Sequence, residues 1–104
     1  MITGLSEKQI KEITVQLTSF TNIYKAAVFG SRAMGNSKPG SDVDIAIWGD
    51  GIGPIEAKNL AIRLNEYTSL PYKFDVVAYD AISDNALKEH INAVGKVFFE
   101  RDTI

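Results

Sequence analysis

Two short apolar runs in this chain meet polar residues that a strand rarely carries. Ala26, Ala27, Val28 and Phe29 stop at Gly30-Ser31, and Ser41-Asp42-Val43-Asp44 opens the run Ile45, Ala46, Ile47, Trp48. Each run suits a strand. Side chains alternate along a strand, so Asp42 and Asp44 share one face. Two like charges held side by side repel and disfavour the folded state unless something positive binds them. A hard divalent cation with oxygen ligands, such as Mg²⁺, resolves that repulsion. A Gly-Ser turn facing the pair can hold the phosphates that such a cation usually shares.

The remaining elements follow from local signals. Ser6-Glu7-Lys8-Gln9 reads as a capping box, and Ile10, Ile13, Leu17 and Phe20 recur at helical spacing, which predicts a first helix over 7–20. Tyr24 to Phe29 is the first strand, Ser31 to Ala33 a short helical turn, and 35–41 a loop by composition. Asp42 to Trp48 is the second strand, with Val43, Ile45 and Ile47 on one face and Asp42, Asp44 and Ala46 on the other. Pro54 suits the first position of a second long helix, whose face carries Ala57, Leu60, Ala61, Leu64 and Tyr67. Lys73 to Tyr79 alternates as a third strand. Asp80 is the expected cap of a last helix bearing Ile82, Ala86, Leu87, His90, Ile91 and Val94, and Lys96 to Glu100 is a fourth, edge strand. The order implies an α/β (α+β) layout: a small mixed sheet of about four strands, helices on one face, the carboxylates on the open one.

At 104 residues, a single domain spanning 1–104 is expected. Net charge is −2 and no cluster of Lys and Arg stands out. That argues against a long nucleic acid as principal ligand, which needs several basic contacts, but leaves room for one nucleotide. There is no cysteine, so disulfides and thiolate zinc sites are excluded, and a reducing cytoplasm is the expected location. No signal peptide is read at Met1 to Glu12. No stretch approaches the roughly 20 apolar residues of a membrane span.

A third carboxylate, Asp75, lies on the third strand. Asp is a poor strand former, so three of them on strands call for a reason. Pairing the third strand beside the second brings Asp75 to the other two. Three converging carboxylates can hold two divalent ions, and two metals about 3.5–4 Å apart clamp the attacking and leaving oxygens of a phosphoryl displacement. One carboxylate can also accept the proton of an attacking hydroxyl. Gly30 permits close backbone approach, the following amides at a helix start suit a phosphate, and the Ser31 hydroxyl adds a donor. Arg32 is a candidate phosphate neighbour; Lys38 reads as a solvated loop charge.

The run Gly30-Ser31-Arg32-Ala33-Met34-Gly35, followed by Ser41-Asp42-Val43-Asp44-Ile45-Ala46-Ile47, resembles the Gly-Ser…Asp-x-Asp signature of the polymerase-beta-like nucleotidyltransferases. It is most similar to the minimal nucleotidyltransferases, the MNT family, and Phe74-Asp75-Val76-Val77 is similar to the strand carrying that family's third carboxylate. The resemblance implies transfer of a nucleoside monophosphate, AMP above all, from ATP or another NTP to a hydroxyl, with release of pyrophosphate. It implies Mg²⁺, two ions, held by Asp42, Asp44 and Asp75, with Asp75 activating the acceptor, and a triphosphate held by Gly30 and Ser31. It further implies pairing with an all-helical HEPN protein as antitoxin to its toxin, the acceptor being a tyrosine of that partner.

Two other functions fit the same residues: a non-catalytic antitoxin that masks its partner, and a nucleotidyltransferase subunit acting on a small hydroxylated metabolite or antibiotic. Self-association is left open. His90, near an apolar helical stripe between Leu87 and Ile91, reads as a packed or half-exposed residue rather than a catalytic one. Trp48, Tyr79, Phe98 and Phe99 read as core or edge packing.

Overall fold

The computed structural model describes residues 4–35, 38 and 40–101; the expected loop residues Asn36, Ser37 and Pro39 lie outside them. The elements run α1 (Glu7–Leu17), β1 (Ile23–Phe29), α2 (Ser31–Met34), β2 (Val43–Gly49), α3 (Pro54–Glu66), β3 (Phe74–Ala78), a 3₁₀ turn (Tyr79–Ala81), α4 (Asn85–Val94) and β4 (Lys96–Glu100).

Local chemistry accounts for most boundaries. Ser6 and Gln9 close the expected capping box: the Ser6 amide donates to Gln9 Oε1 at 3.0 Å and the Gln9 amide to Ser6 Oγ at 3.2 Å. Helix α1 stops at Leu17 rather than Phe20. The hydroxyls of Thr18 and Ser19 donate back to the carbonyls of Val15 and Gln16, each at 2.7 Å, offering the backbone an alternative to another helical turn. Pro54 takes the first position of α3, and Glu56 accepts the Gly53 amide at 2.8 Å. The cap of α4 is Asp84, which accepts the amides of Ala86 and Leu87 at 2.9 and 3.4 Å. Asp80 lies instead in the 3₁₀ turn, which carries the chain from β3 toward the other side of the sheet.

The four strands form one mixed sheet in the order β3-β2-β1-β4. β1 is antiparallel to both β2 and β4, and β2 is parallel to β3. A main core on one side joins Ile13 and Leu17 of α1 and Ala57, Leu60 and Leu64 of α3 to Val28, Val43, Ile45, Ile47 and Phe74. Phe98 and Phe99 pack against that core, as expected.

The expected mixed four-stranded architecture holds, but the helices do not all lie on one face. Ile91 of α4 is buried with Phe29 and Ala46, and Leu87 and Val94 pack beside it. Those strand positions belong to the face that Asp44 shares. The apolar stripe of α4 needs a partner, and Phe29, Ala46 and Val77 provide one. The second face is therefore covered by α4 along part of its length, which leaves the carboxylates at its end. Among the described residues no helix is long and apolar enough to cross a membrane.

Candidate active site

The connectivity brings the sequence-separated motifs to one end of the sheet. Because β1 and β2 are antiparallel, the end of β1 lies beside the start of β2, and Phe29 pairs with Asp44. The Gly30-Ser31 turn that follows Phe29 therefore sits over the first residues of β2. Because β2 and β3 are parallel, their starts lie side by side, and Asp44 pairs with Asp75. Paired positions in adjacent strands point to the same face, so the two carboxylates are neighbours. The Val43 amide donates to the Lys73 carbonyl at 2.9 Å, fixing that register at the mouth of the site.

Asp44 is half-buried, while Asp42 and Asp75 are exposed. The Asp44 carboxyl is pushed above its usual range, first by burial and then by the negative charges of Asp75 and Asp42. The charges of Asp75 and Asp42 are thus both felt at Asp44. Among the described residues, no three acidic, histidine or cysteine side chains are gathered tightly enough to enclose a cation unaided. The donor set is all carboxylate oxygen, which is the chemistry a hard divalent cation accepts.

Gly30 is fixed by both conformation and space. Its φ of 75° and ψ of −152° fall in a region that is essentially glycine-only. A Cβ on Gly30 would lie 2.5 Å from Asp44 Oδ2. The turn and the carboxylate are therefore in contact, and only the missing side chain lets them be. Ser31 is half-buried at the first position of α2.

Arg32 is placed differently from a solvent-facing phosphate contact. It is 3% exposed. Its Nε and Nη2 donate to the Ser41 carbonyl at 3.2 and 2.8 Å, and its guanidinium lies 4.5 Å from the centre of the Tyr72 ring. Arg32 thus clamps the backbone one residue before Asp42. Ser41 completes the turn by accepting the Lys38 amide at 2.9 Å and donating to the Lys38 carbonyl at 2.7 Å. The Lys38 residue itself is exposed, as expected.

His90 is the site residue that the sequence did not reveal. It packs edge-on against Phe29, with ring centroids 6.0 Å apart, and its Nε2 accepts the Gly30 amide at 3.1 Å. The only hint in the sequence was a lone polar ring within the apolar stripe of α4. Trp48 and Tyr79 lie toward the far end of the same face, stacked on each other with centroids 4.9 Å apart. Lys25 and Lys88 cover their rings at 4.6 and 5.1 Å.

Comparison with known proteins gives the site a context. The pattern of the family described as polymerase beta, nucleotidyltransferase, matches residues 8–104. A search of curated protein sequences returns no match. Among solved structures, the chain is similar to one in a toxin–antitoxin crystal structure with AMP-PNP, with TM-score 0.74 and 23% identity over 89% of this chain and 74% of that one. It is similar to a chain of the MntA–HepT toxin–antitoxin, with TM-score 0.71 and 20% identity over 92% and 74% of the two chains. A third similarity is to a chain of the tri-AMPylated Shewanella oneidensis HEPN toxin in complex with MNT antitoxin, with TM-score 0.68 and 21% identity over 88% and 70%. These likenesses show a shared fold, and the family match covers nearly the whole sequence. The chain belongs to the polymerase beta nucleotidyltransferase family.

Proposed function

We propose that this protein is the nucleotidyltransferase of a toxin–antitoxin pair and transfers AMP from ATP to a tyrosine hydroxyl of a helical HEPN-type partner. The observation that carries the reading is the meeting of Asp44, its strand neighbour Asp75 and the glycine turn at one end of the sheet. The solved complexes support the choice of donor and partner: one holds AMP-PNP and another an AMPylated HEPN toxin.

Ser31 holds the triphosphate through its amide and hydroxyl, and Gly30 lets the backbone come close to it because no side chain intervenes. Asp42 and Asp44 would hold divalent ions, Mg²⁺ in the first instance, and Asp75 shares in that binding. When bound, the ions neutralise the triphosphate and polarise the phosphorus under attack. Asp75 accepts the proton of the tyrosine hydroxyl as its oxygen forms a bond to the α-phosphorus. The bond to the bridging oxygen breaks and pyrophosphate leaves. Arg32 serves the site by holding Ser41, and so the start of β2, in place.

Incubation of the protein with ATP labelled at the α-phosphate, Mg²⁺ and a HEPN-type partner protein tests this reading. The label is expected on a partner tyrosine, and lost when Asp42 or Asp44 is changed to Asn. A folded complex that neutralises the partner without transferring label would overturn transfer and leave masking as the function.

A further inference from the structure

We propose that His90 is a positioning residue that sets the phosphate-binding turn from the opposite helix; this rests on the nucleotidyltransferase reading above. The Gly30 amide donates to His90 Nε2 at 3.1 Å, and the Gly30 carbonyl accepts the Met34 amide at 3.1 Å. Both backbone groups of Gly30 are thereby committed. The residue is held at φ 75° and ψ −152° from two sides, by α2 and by α4.

Two consequences follow for the chemistry. First, a ring nitrogen that accepts a hydrogen bond carries no proton, so neutral His90 bears its proton on Nδ1. Nε2 is then occupied by a structural bond and is neither a proton donor nor a ligand toward the site. Second, the Gly30 amide is turned away from any phosphate, and the Ser31 amide becomes the first donor of the turn that a triphosphate meets. The Phe29 ring, edge-on to His90 at 6.0 Å, and buried Ile91 beside it on α4 hold the imidazole at this post. The contact also links the helix that covers the second face of the sheet to the turn that grips the nucleotide.

The test uses the protein with its partner, ATP and Mg²⁺, and compares His90→Leu with His90→Gln. Leu fills the space without an acceptor. Gln offers Oε1 at a reach similar to Nε2. The Leu variant is expected to raise KM for ATP about 10-fold with kcat within about 3-fold of the parent, since removal of one acceptor weakens ground-state and transition-state binding alike. Gln is expected to restore KM to within about 3-fold. A residue that only packs α4 would lower the unfolding midpoint in both variants without the KM split or the rescue, and that result overturns the proposal. A readout independent of activity is the tautomer of His90 in the nucleotide-free protein, from ¹⁵N NMR of the imidazole near neutral pH. The Nδ1–H tautomer is expected, and the Nε2–H tautomer overturns the proposal even in a protein that transfers nothing. Absence of transfer from the parent, with the Nδ1–H tautomer present, counts against the nucleotidyltransferase reading alone.

Discussion

Gly30→Ala is expected to reduce AMP transfer by at least about 10²-fold, because the added methyl occupies the space between the turn and the Asp44 carboxylate. Its Cβ would lie 2.5 Å from Asp44 Oδ2, well inside contact distance, so either the turn or Asp44 must shift. Misplacing a positioned group by about 1 Å can cost about 10²-fold in rate. The positive φ adds conformational strain of order 1–2 kcal/mol. Gly51 separates the two effects. It also has a positive φ, 66°, but a Cβ there meets nothing within 4 Å. Gly51→Ala should therefore show the strain in chemical denaturation and retain transfer. If Gly30→Ala and Gly51→Ala lose stability alike and both remain active, the contact between the turn and Asp44 has no functional weight.

Asp44→Asn is expected to abolish transfer, by about 10³-fold or more if cation binding and charge stabilisation are both lost, and at the same time to raise stability. The sign follows from the upward shift of the Asp44 carboxyl, caused first by burial and then by Asp75 and Asp42. A folded-state pKa above the unfolded value means that the native state binds more protons through that window. Stability therefore falls as pH rises from the usual Asp range through the folded-state value. At neutral pH the ionised Asp44 opposes folding, and Asn relieves it. The gain in unfolding midpoint should be present at pH 7 and shrink as pH falls through the folded-state value, vanishing below the ordinary carboxylate range, where Asp44 is protonated in both states. Divalent cation should narrow the difference at neutral pH by stabilising the parent alone. A variant that is inactive and also less stable at pH 7 would show Asp44 to be a structural carboxylate.

The sheet was legible because its signals are local. Alternation in β2 and β3, the Ser6–Gln9 box and the glycine after Phe29 each depend on a few consecutive residues. The meeting of Asp44 with Asp75 was legible one step further, since a strand–helix–strand segment commonly yields a parallel pair. What was not legible depends on contacts between distant residues. Arg32 carries no sequence mark of being buried; Ser41 and Tyr72 are among the residues that the fold brings to it. The hydrogen bond from Gly30 to His90 links positions 60 apart in the chain and exists only because α4 crosses to the second face. The same crossing explains why helices on one side alone were expected: the apolar stripe of α4 is plain in the sequence, but not which face it covers. Asp84 displaced Asp80 as the cap for a related reason, since both are good caps and the position of α4 against Phe29 and Ala46 decides between them.

The most direct measurement is the binding of Mn²⁺, as a paramagnetic substitute for Mg²⁺, followed by electron paramagnetic resonance in the presence of AMP-PNP. The parent protein is expected to bind the ion, and Asp42→Asn, Asp44→Asn and Asp75→Asn are each expected to weaken binding about 10-fold or more, as loss of a charged ligand should. Parent-like Mn²⁺ binding by Asp75→Asn, or no binding by the parent, would contradict a single site built from the two strand starts and the glycine turn.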